Sequence, residues 1–232
     1  MCGRYSLAQT GQKITERYQI KQSVDFKPRY NVAPGQTMPV ICSDAPTEIR
    51  FCRWGLIPNW SMNESVGFNH INAKAEHFLT KAPFKQIAKN QRCLIPADGY
   101  YEWKKEGKQK NPYRITLSND QIFSFAGLWD SWENYDGDLV HTFTIITTPA
   151  NSLVGELFDR MPFILDPSQE QNWLNEKLQE EEISAMVVPY DGNKMSYYKT
   201  HKSVDKPDYD TPECIQVAPK IYPGETFFLF DM

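Results

Sequence analysis

The sequence predicts an α+β fold with much antiparallel sheet. Two observations carry that prediction. Short runs rich in Ile, Val, Phe, Tyr and Thr recur between Gly, Pro, Asn or Asp, the pattern of strands bounded by turns. Only a few segments show helical spacing of apolar residues. The 232 residues, 41% hydrophobic and 13% aromatic, suffice for one sizeable core. No repeat, low-complexity tract or linker divides them, so residues 1–232 are expected to form a single domain.

In chain order, residues 6–21 predict a short helix with Thr10 as its N-cap. Pro28 to Pro39 holds three prolines and a glycine and predicts an ordered irregular loop. Strands are predicted at Met38–Ile41, Glu48–Trp54, Arg92–Pro96, Tyr113–Leu117, Ile122–Leu128 and Thr142–Thr148. Glu106-Gly107 and Asp136-Gly137 predict hairpin turns. Helices are predicted near Ala75–Thr80, Pro83–Lys89, Pro149–Leu157 and Ser168–Gln179, the last started by Asp166-Pro167-Ser168. Val187–Pro189 and Thr226–Leu229 are predicted to return as strands.

Composition narrows the function. No apolar run approaches the roughly 18 residues of a membrane span, and no basic segment followed by an apolar one opens the chain. A cytoplasmic, nucleoid-associated location is therefore expected, with no membrane partner. Five widely spaced cysteines (Cys2, Cys42, Cys52, Cys93 and Cys214) argue against a disulfide framework. None of His70, His77, His141 and His201 stands at zinc spacing beside a cysteine pair, so neither metal nor cofactor is expected. The net charge of −4 argues against a general polyanion binder. It hides an asymmetry: Lys74–Arg114 holds ten Lys/Arg against four Asp/Glu, whereas Asn151–Met232 holds seven against fifteen. The middle of the chain can build a phosphate-binding face, although exposed faces carry charge for solubility too.

Cys2 is the sharpest chemical feature. Removal of Met1 would leave a 1,2-aminothiol whose α-amine, with an ordinary pKa of roughly 7.7–8.0, is partly neutral at pH 7. Such an amine attacks an aldehyde to give an imine, and the neighbouring thiol closes a five-membered thiazolidine. An open-chain abasic deoxyribose offers that aldehyde. A cysteine at position 2 also occurs by chance. Met-Cys-Gly also opens glutamine amidotransferases of the N-terminal-nucleophile type, but these continue with an apolar residue and another glycine, not Arg4-Tyr5-Ser6.

Six ordered segments extend the signal: Met1-Cys2-Gly3-Arg4-Tyr5, Arg29-Tyr30-Asn31-Val32-Ala33-Pro34-Gly35, Trp54-Gly55-Leu56-Ile57-Pro58-Asn59-Trp60, Ile71-Asn72-Ala73-Lys74-Ala75-Glu76, Pro96-Ala97-Asp98-Gly99-Tyr100-Tyr101-Glu102-Trp103 and Phe158-Asp159-Arg160-Met161-Pro162. In order and spacing they resemble the SOS-response-associated peptidase (SRAP) family of abasic-site-processing proteins, over nearly the whole chain. The resemblance implies a single α+β domain with a bifurcated, partly barrel-like sheet surrounded by helices. It implies covalent capture of abasic sites in single-stranded DNA, including sites at junctions with duplex, and self-removal of the initiator methionine. In bacteria it implies a part in the SOS damage response. A monomer is the expected state.

The resemblance assigns roles residue by residue. Cys2 matches the nucleophile and Glu102 the catalytic glutamate; alone, a Glu between aromatics reads as a solvent-facing strand residue. Asn72 matches an asparagine that holds the opened sugar, and Asn31 a residue at the floor of the active site; both types are also common in turns. Arg4 is placed to grip a phosphate. Lys74 stands where the family usually has arginine, a point charge in place of a fork. Trp60 and Phe84 match aromatic positions flanking the DNA, and Thr147 a threonine near the lesion. Phe158 departs from the family's usual histidine and cannot transfer protons. His70 is a candidate substitute: were residues 70–74 a strand, His70, Asn72 and Lys74 would share one face. An imine also permits β-elimination, hence weak lyase activity. The rivals are an amide-cleaving enzyme acting in trans and a non-enzymatic reader of modified or single-stranded DNA.

Overall fold

The first strand of the chain lies inside a sheet, not at its edge, and this placement organises the molecule. The computed structural model describes residues 2–119 and 121–219. Its strands are β1 (Tyr5–Leu7), β2 (Arg29–Val32), β3 (Thr37–Cys42), β4 (Arg50–Trp54), β5 (Asn72–Lys74), β6 (Arg92–Ala97), β7 (Gly99–Glu106), β8 (Gln109–Leu117), β9 (Phe123–Glu133), β10 (Leu139–Pro149), β11 (Arg160–Pro162), β12 (Ile164–Leu165) and β13 (Met195–Lys199). Helices α1 (Gly11–Tyr18), α2 (Glu170–Trp173) and α3 (Glu180–Met186) complete the regular α structure.

One sheet runs β13-β8-β7-β1-β2, antiparallel throughout. In the other, β10, β4, β3, β6 and β9 pair in that order and β9 returns to β10, closing a five-stranded ring. Only β10–β4 is parallel within that ring. Past the ring β10 takes up β5 and β11, and β9 takes up β12, so the sheet splits there. This is the bifurcated, partly barrel-like arrangement expected.

Aromatic packing joins the two sheets. Tyr5 from β1 meets Trp54 of β4 edge-on at 5.2 Å and Phe125 of β9 at 5.7 Å, and Tyr100 of β7 meets the same Phe125 at 6.0 Å. Edge-to-face pairs of this kind are worth about 0.5–1.5 kcal/mol beyond their buried area. β1 is also pinned by polar contacts. Asp98 accepts from Ser6 Oγ at 2.7 Å and from the Ala8 amide at 2.6 Å, and pairs with buried Arg114 at 3.0 Å.

Six of the eight predicted strands appear, as β3, β4, β6, β8, β9 and β10, whereas Pro28–Pro39, expected as an irregular loop, carries β2 and the start of β3 because both are paired into the sheets. Both hairpin turns form, with Gly107 at φ +62° and Gly137 at φ +84°, conformations that a side chain disfavours. Thr10 caps α1, its hydroxyl accepting from the Lys13 amide at 3.4 Å. Helix content is lower than expected, so the picture of a sheet surrounded by helices is corrected. Ala75–Thr80 is a series of turns; Pro83–Lys89 and Pro149–Leu157 each keep a single 3₁₀ turn. Ser168–Gln179 breaks after α2. Val187–Pro189 forms no strand, and Thr226–Leu229 lies outside the described residues. Among the described residues no helix is long and apolar enough to cross a membrane.

Candidate active site

Strand register brings the N-terminal residues to Glu102. Tyr5 lies opposite Tyr100 and Ser6 opposite Gly99. The ladder continues upstream of β1, where the Tyr101 amide donates to the Arg4 carbonyl at 3.0 Å. Glu102 is the next residue of β7, close enough for its charge to act on the Cys2 thiol. From the other side, Asn72 at the start of β5 donates its side-chain amide to the Cys2 carbonyl at 2.8 Å. Cys2 thus sits between a strand of each sheet, with its main chain held.

The electrostatics follow from burial. Cys2 is fully buried and its thiol makes a weak contact to the Arg4 carbonyl at 3.8 Å. Burial first, and then the negative charge of Glu102, hold the thiol far above the ordinary thiol range, so it stays protonated. Glu102 is only 4% exposed; desolvation raises its carboxyl from 4.5 to about 7, and the charge of Asp159 adds to the rise. The carboxyl is therefore poised near neutrality, where it can both take and give a proton. Tyr5 and Tyr100 place buried hydroxyls nearby, and both phenols stay neutral because burial opposes ionisation.

Arg4 occupies the opposite face of β7. Its Nη1 donates to Asn31 Oδ1 at 3.0 Å and to the Val204 carbonyl at 3.1 Å, and its guanidinium lies 6.0 Å from the Trp103 ring centroid. Asn31 is fully buried and its Nδ2 donates to the carbonyls of Val204, Lys206 and Tyr209 at 3.3, 3.0 and 2.7 Å. Asp210 in turn accepts from the Tyr30 and Asn31 amides at 2.6 and 2.8 Å and pairs with Arg29. In this geometry Asn31 is a bracket that ties residues 204–210 to Arg4, with its amide spent on those contacts.

The remaining sequence candidates differ in burial and partners. Lys74 is exposed and lies opposite Thr147 in the β5–β10 pairing. Thr147 is buried; its carbonyl and hydroxyl accept from Arg160 at 2.6 and 3.2 Å, and Arg160 pairs with Glu76. Trp60 is 65% and Phe158 37% exposed. The same-face argument for His70 does not hold, because β5 begins only at Asn72. His70 caps a 3₁₀ turn, its Nδ1 lies 3.3 Å from the Leu56 carbonyl, and its ring abuts Phe84 at 5.5 Å. Sequence reasoning missed Asp159, although it stands in the last of the six segments, because nothing local ties it to Glu102. It also missed Asp210, for which no local signal exists.

A buried cysteine at position 2 beside a buried glutamate, on a split and partly closed sheet, defines a class. The chain belongs to the SOS response associated peptidase (SRAP) family, whose model matches residues 1–207. Among its relatives, the abasic site processing protein YoqW of Bacillus subtilis (strain 168) is 39% identical over 222 residues, covering 93% of this chain and 99% of its own. The abasic site processing protein HMCES of Gallus gallus is 29% identical over 224 residues, covering 82% and 66%. A crystal structure of a Bacteroides thetaiotaomicron protein superposes with a TM-score of 0.87 at 32% identity, covering 94% of this chain and 100% of that one.

Proposed function

We propose that this protein captures abasic sites in single-stranded DNA by a covalent bond through Cys2, once Met1 is removed. The observation that best supports the reading is the joint placement of Cys2 and Glu102: the Cys2 carbonyl held by Asn72 at 2.8 Å, and a buried carboxyl titrating at about 7 across the register. The relatives' names supply the substrate class. Met1 itself lies outside the described residues.

The order of steps follows from the protonation states. The thiol is held neutral, so the α-amine attacks first. Glu102 takes one proton from the amine as it adds to the aldehyde carbon and returns it to the oxygen, giving the hemiaminal; it then relays the remaining N–H proton to that hydroxyl, which leaves as water and gives the imine. The thiol adds across the resulting C=N bond, its proton passing to nitrogen, and the thiazolidine closes. The net change is one amine, one thiol and one aldehyde to one ring and one water. Ring closure suppresses the β-elimination that the open imine permits, so lyase activity is weak. Asn72 orients the Cys2 main chain, while Asn31 holds Arg4 for a phosphate beside the lesion. Lys74, Trp60, Phe84, Thr147 and Phe158 bind the DNA around the lesion, including at junctions with duplex. The protein acts as a monomer in the DNA damage response and removes its own Met1.

Intact mass of the product tests this. The expected mass is that of the protein without Met1 plus the abasic oligonucleotide, less one water. A product of any other stoichiometry, or one retaining Met1, overturns it. Release of ammonia from glutamine, or cleavage of an added peptide, would instead support amide hydrolysis in trans.

A further inference from the structure

The β7–β8 hairpin leaves Glu102 carrying Lys104, Lys105, Lys108 and Lys110 against a single acid, Glu106. Alternation sorts these residues into two faces. Tyr101, Trp103 and Lys105 share one face of β7; Lys110 lies directly opposite Lys105 in the ladder, and Arg4 lies opposite Tyr101. Arg4, Trp103, Lys105 and Lys110 therefore line one surface leading away from Cys2. Glu106 belongs to the other face, where it accepts from Tyr113 at 2.8 Å and Lys199 at 3.3 Å.

Two features of that surface are not explained by the fold. Directly opposed like charges destabilise a strand pair, yet Lys105 faces Lys110 and neither forms an ion pair among the described residues. Beside them an open pocket of about 320 Å³ is lined by Trp103, Lys110 and Asp205. Asp205 fixes the indole, accepting from its N–H at 2.6 Å. A held aromatic ring with cations at both ends suits a chain of alternating bases and phosphates. Stacking on the ring requires a base that is not paired within a duplex.

We propose that the Arg4–Trp103–Lys105–Lys110 face is a binding track for the single-stranded nucleic acid flanking the lesion. A base stacks on Trp103 and its neighbouring phosphates lie against Lys105 and Lys110. The proposal rests on DNA being the substrate of the Cys2 site, and its test separates the two claims.

The test compares wild type with Lys105→Gln/Lys110→Gln, using a labelled single-stranded oligonucleotide that carries a tetrahydrofuran abasic analogue, which has no aldehyde. Anisotropy titrations over a range of salt concentrations are expected to show a slope of log K against log salt shallower by about 1.4, that is about 0.7 for each phosphate no longer neutralised. Affinity at low salt falls at least about fivefold. Lys105→Arg/Lys110→Arg restores the slope. The melting temperature holds or rises, because a like-charge pair is removed. An unchanged slope and affinity overturns the track, and so does a change confined to duplex DNA. If wild type shows the lysine-dependent slope but never crosslinks, the Cys2 reading falls and the track stands. Crosslinking with an unaltered slope does the reverse.

Discussion

The inner cluster and the rim of the proposed site are built on different terms. Cys2, Asn72 and Glu102 are wholly or largely buried, set by strand register and a hydrogen bond from Asn72. Trp60 and Phe158 stand 65% and 37% exposed, and Lys74 is exposed as well. Groups that exchange protons need fixed positions and a dry setting, because those conditions set their pKa and their reach. Groups that hold a flexible polymer need accessibility, and their contacts form only with the ligand. It follows that substitutions inside the cluster should change rate or stability, and substitutions at the rim affinity.

Glu102→Gln is expected to have the largest effect, slowing single-turnover crosslinking by about 10²–10⁴-fold at pH 7. In wild type the rate should fall as pH drops below about 7, where Glu102 becomes protonated, and the variant should keep only the fall set by protonation of the α-amine. Stability moves the other way. The folded carboxyl titrates at about 7, above its ordinary 4.5, so its favourable contribution is present below 4.5 and is lost as pH rises through 7. Above pH 7 the variant should therefore be the more stable, by up to about 3 kcal/mol in urea unfolding. A variant that keeps its rate, or is less stable at pH 8, would remove the distinction between cluster and rim.

Asn31→Ala comes next. It removes the donor from the Lys206 and Tyr209 carbonyls and one of two from the Val204 carbonyl, and it leaves Arg4 Nη1 with the Val204 carbonyl alone. A drop of about 2–4 kcal/mol in chemical unfolding is expected, with weakened DNA affinity from the freed Arg4. Trp60→Ala should leave stability within about 0.5 kcal/mol and weaken oligonucleotide binding by about 1–3 kcal/mol if one base stacks there. A large stability loss would move Trp60 from the rim to the core. The smallest effect is expected for His70→Ala. Its ring contacts Leu56 and Phe84, so the crosslinking rate at pH 7 should not change.

Much of the barrel was legible because its strands are long, apolar and bounded by turn residues, as in Thr37–Cys42 and Arg92–Ala97. Of the second sheet only β8 and the Glu106-Gly107 turn were legible. β1 is three residues long, β2 lies in a proline-rich stretch, and β7 ends in Trp-Lys-Lys-Glu, which has the composition of an exposed segment. Those strands owe their state to tertiary pairing, which local propensity does not report. The same gap hid the site's assembly. Cys2 and Glu102 were recognisable by motif, but their meeting depends on β1 pairing with β7. The role of Asn31 depends on carbonyls more than 170 residues away in sequence. The helices were over-read because Pro83, Pro149 and Pro167 mark turns and short 3₁₀ segments here as readily as helix starts.

Covalent capture requires that the amino-terminal cysteine bond to the abasic sugar. Denaturing gel electrophoresis decides it, after incubating the processed protein with a single-stranded oligonucleotide bearing one abasic site. A heat-stable, slower band is expected, absent with Cys2→Ala and absent on the intact oligonucleotide. A band that persists with Cys2→Ala, or no band from protein shown by mass to lack Met1, would contradict covalent capture through Cys2.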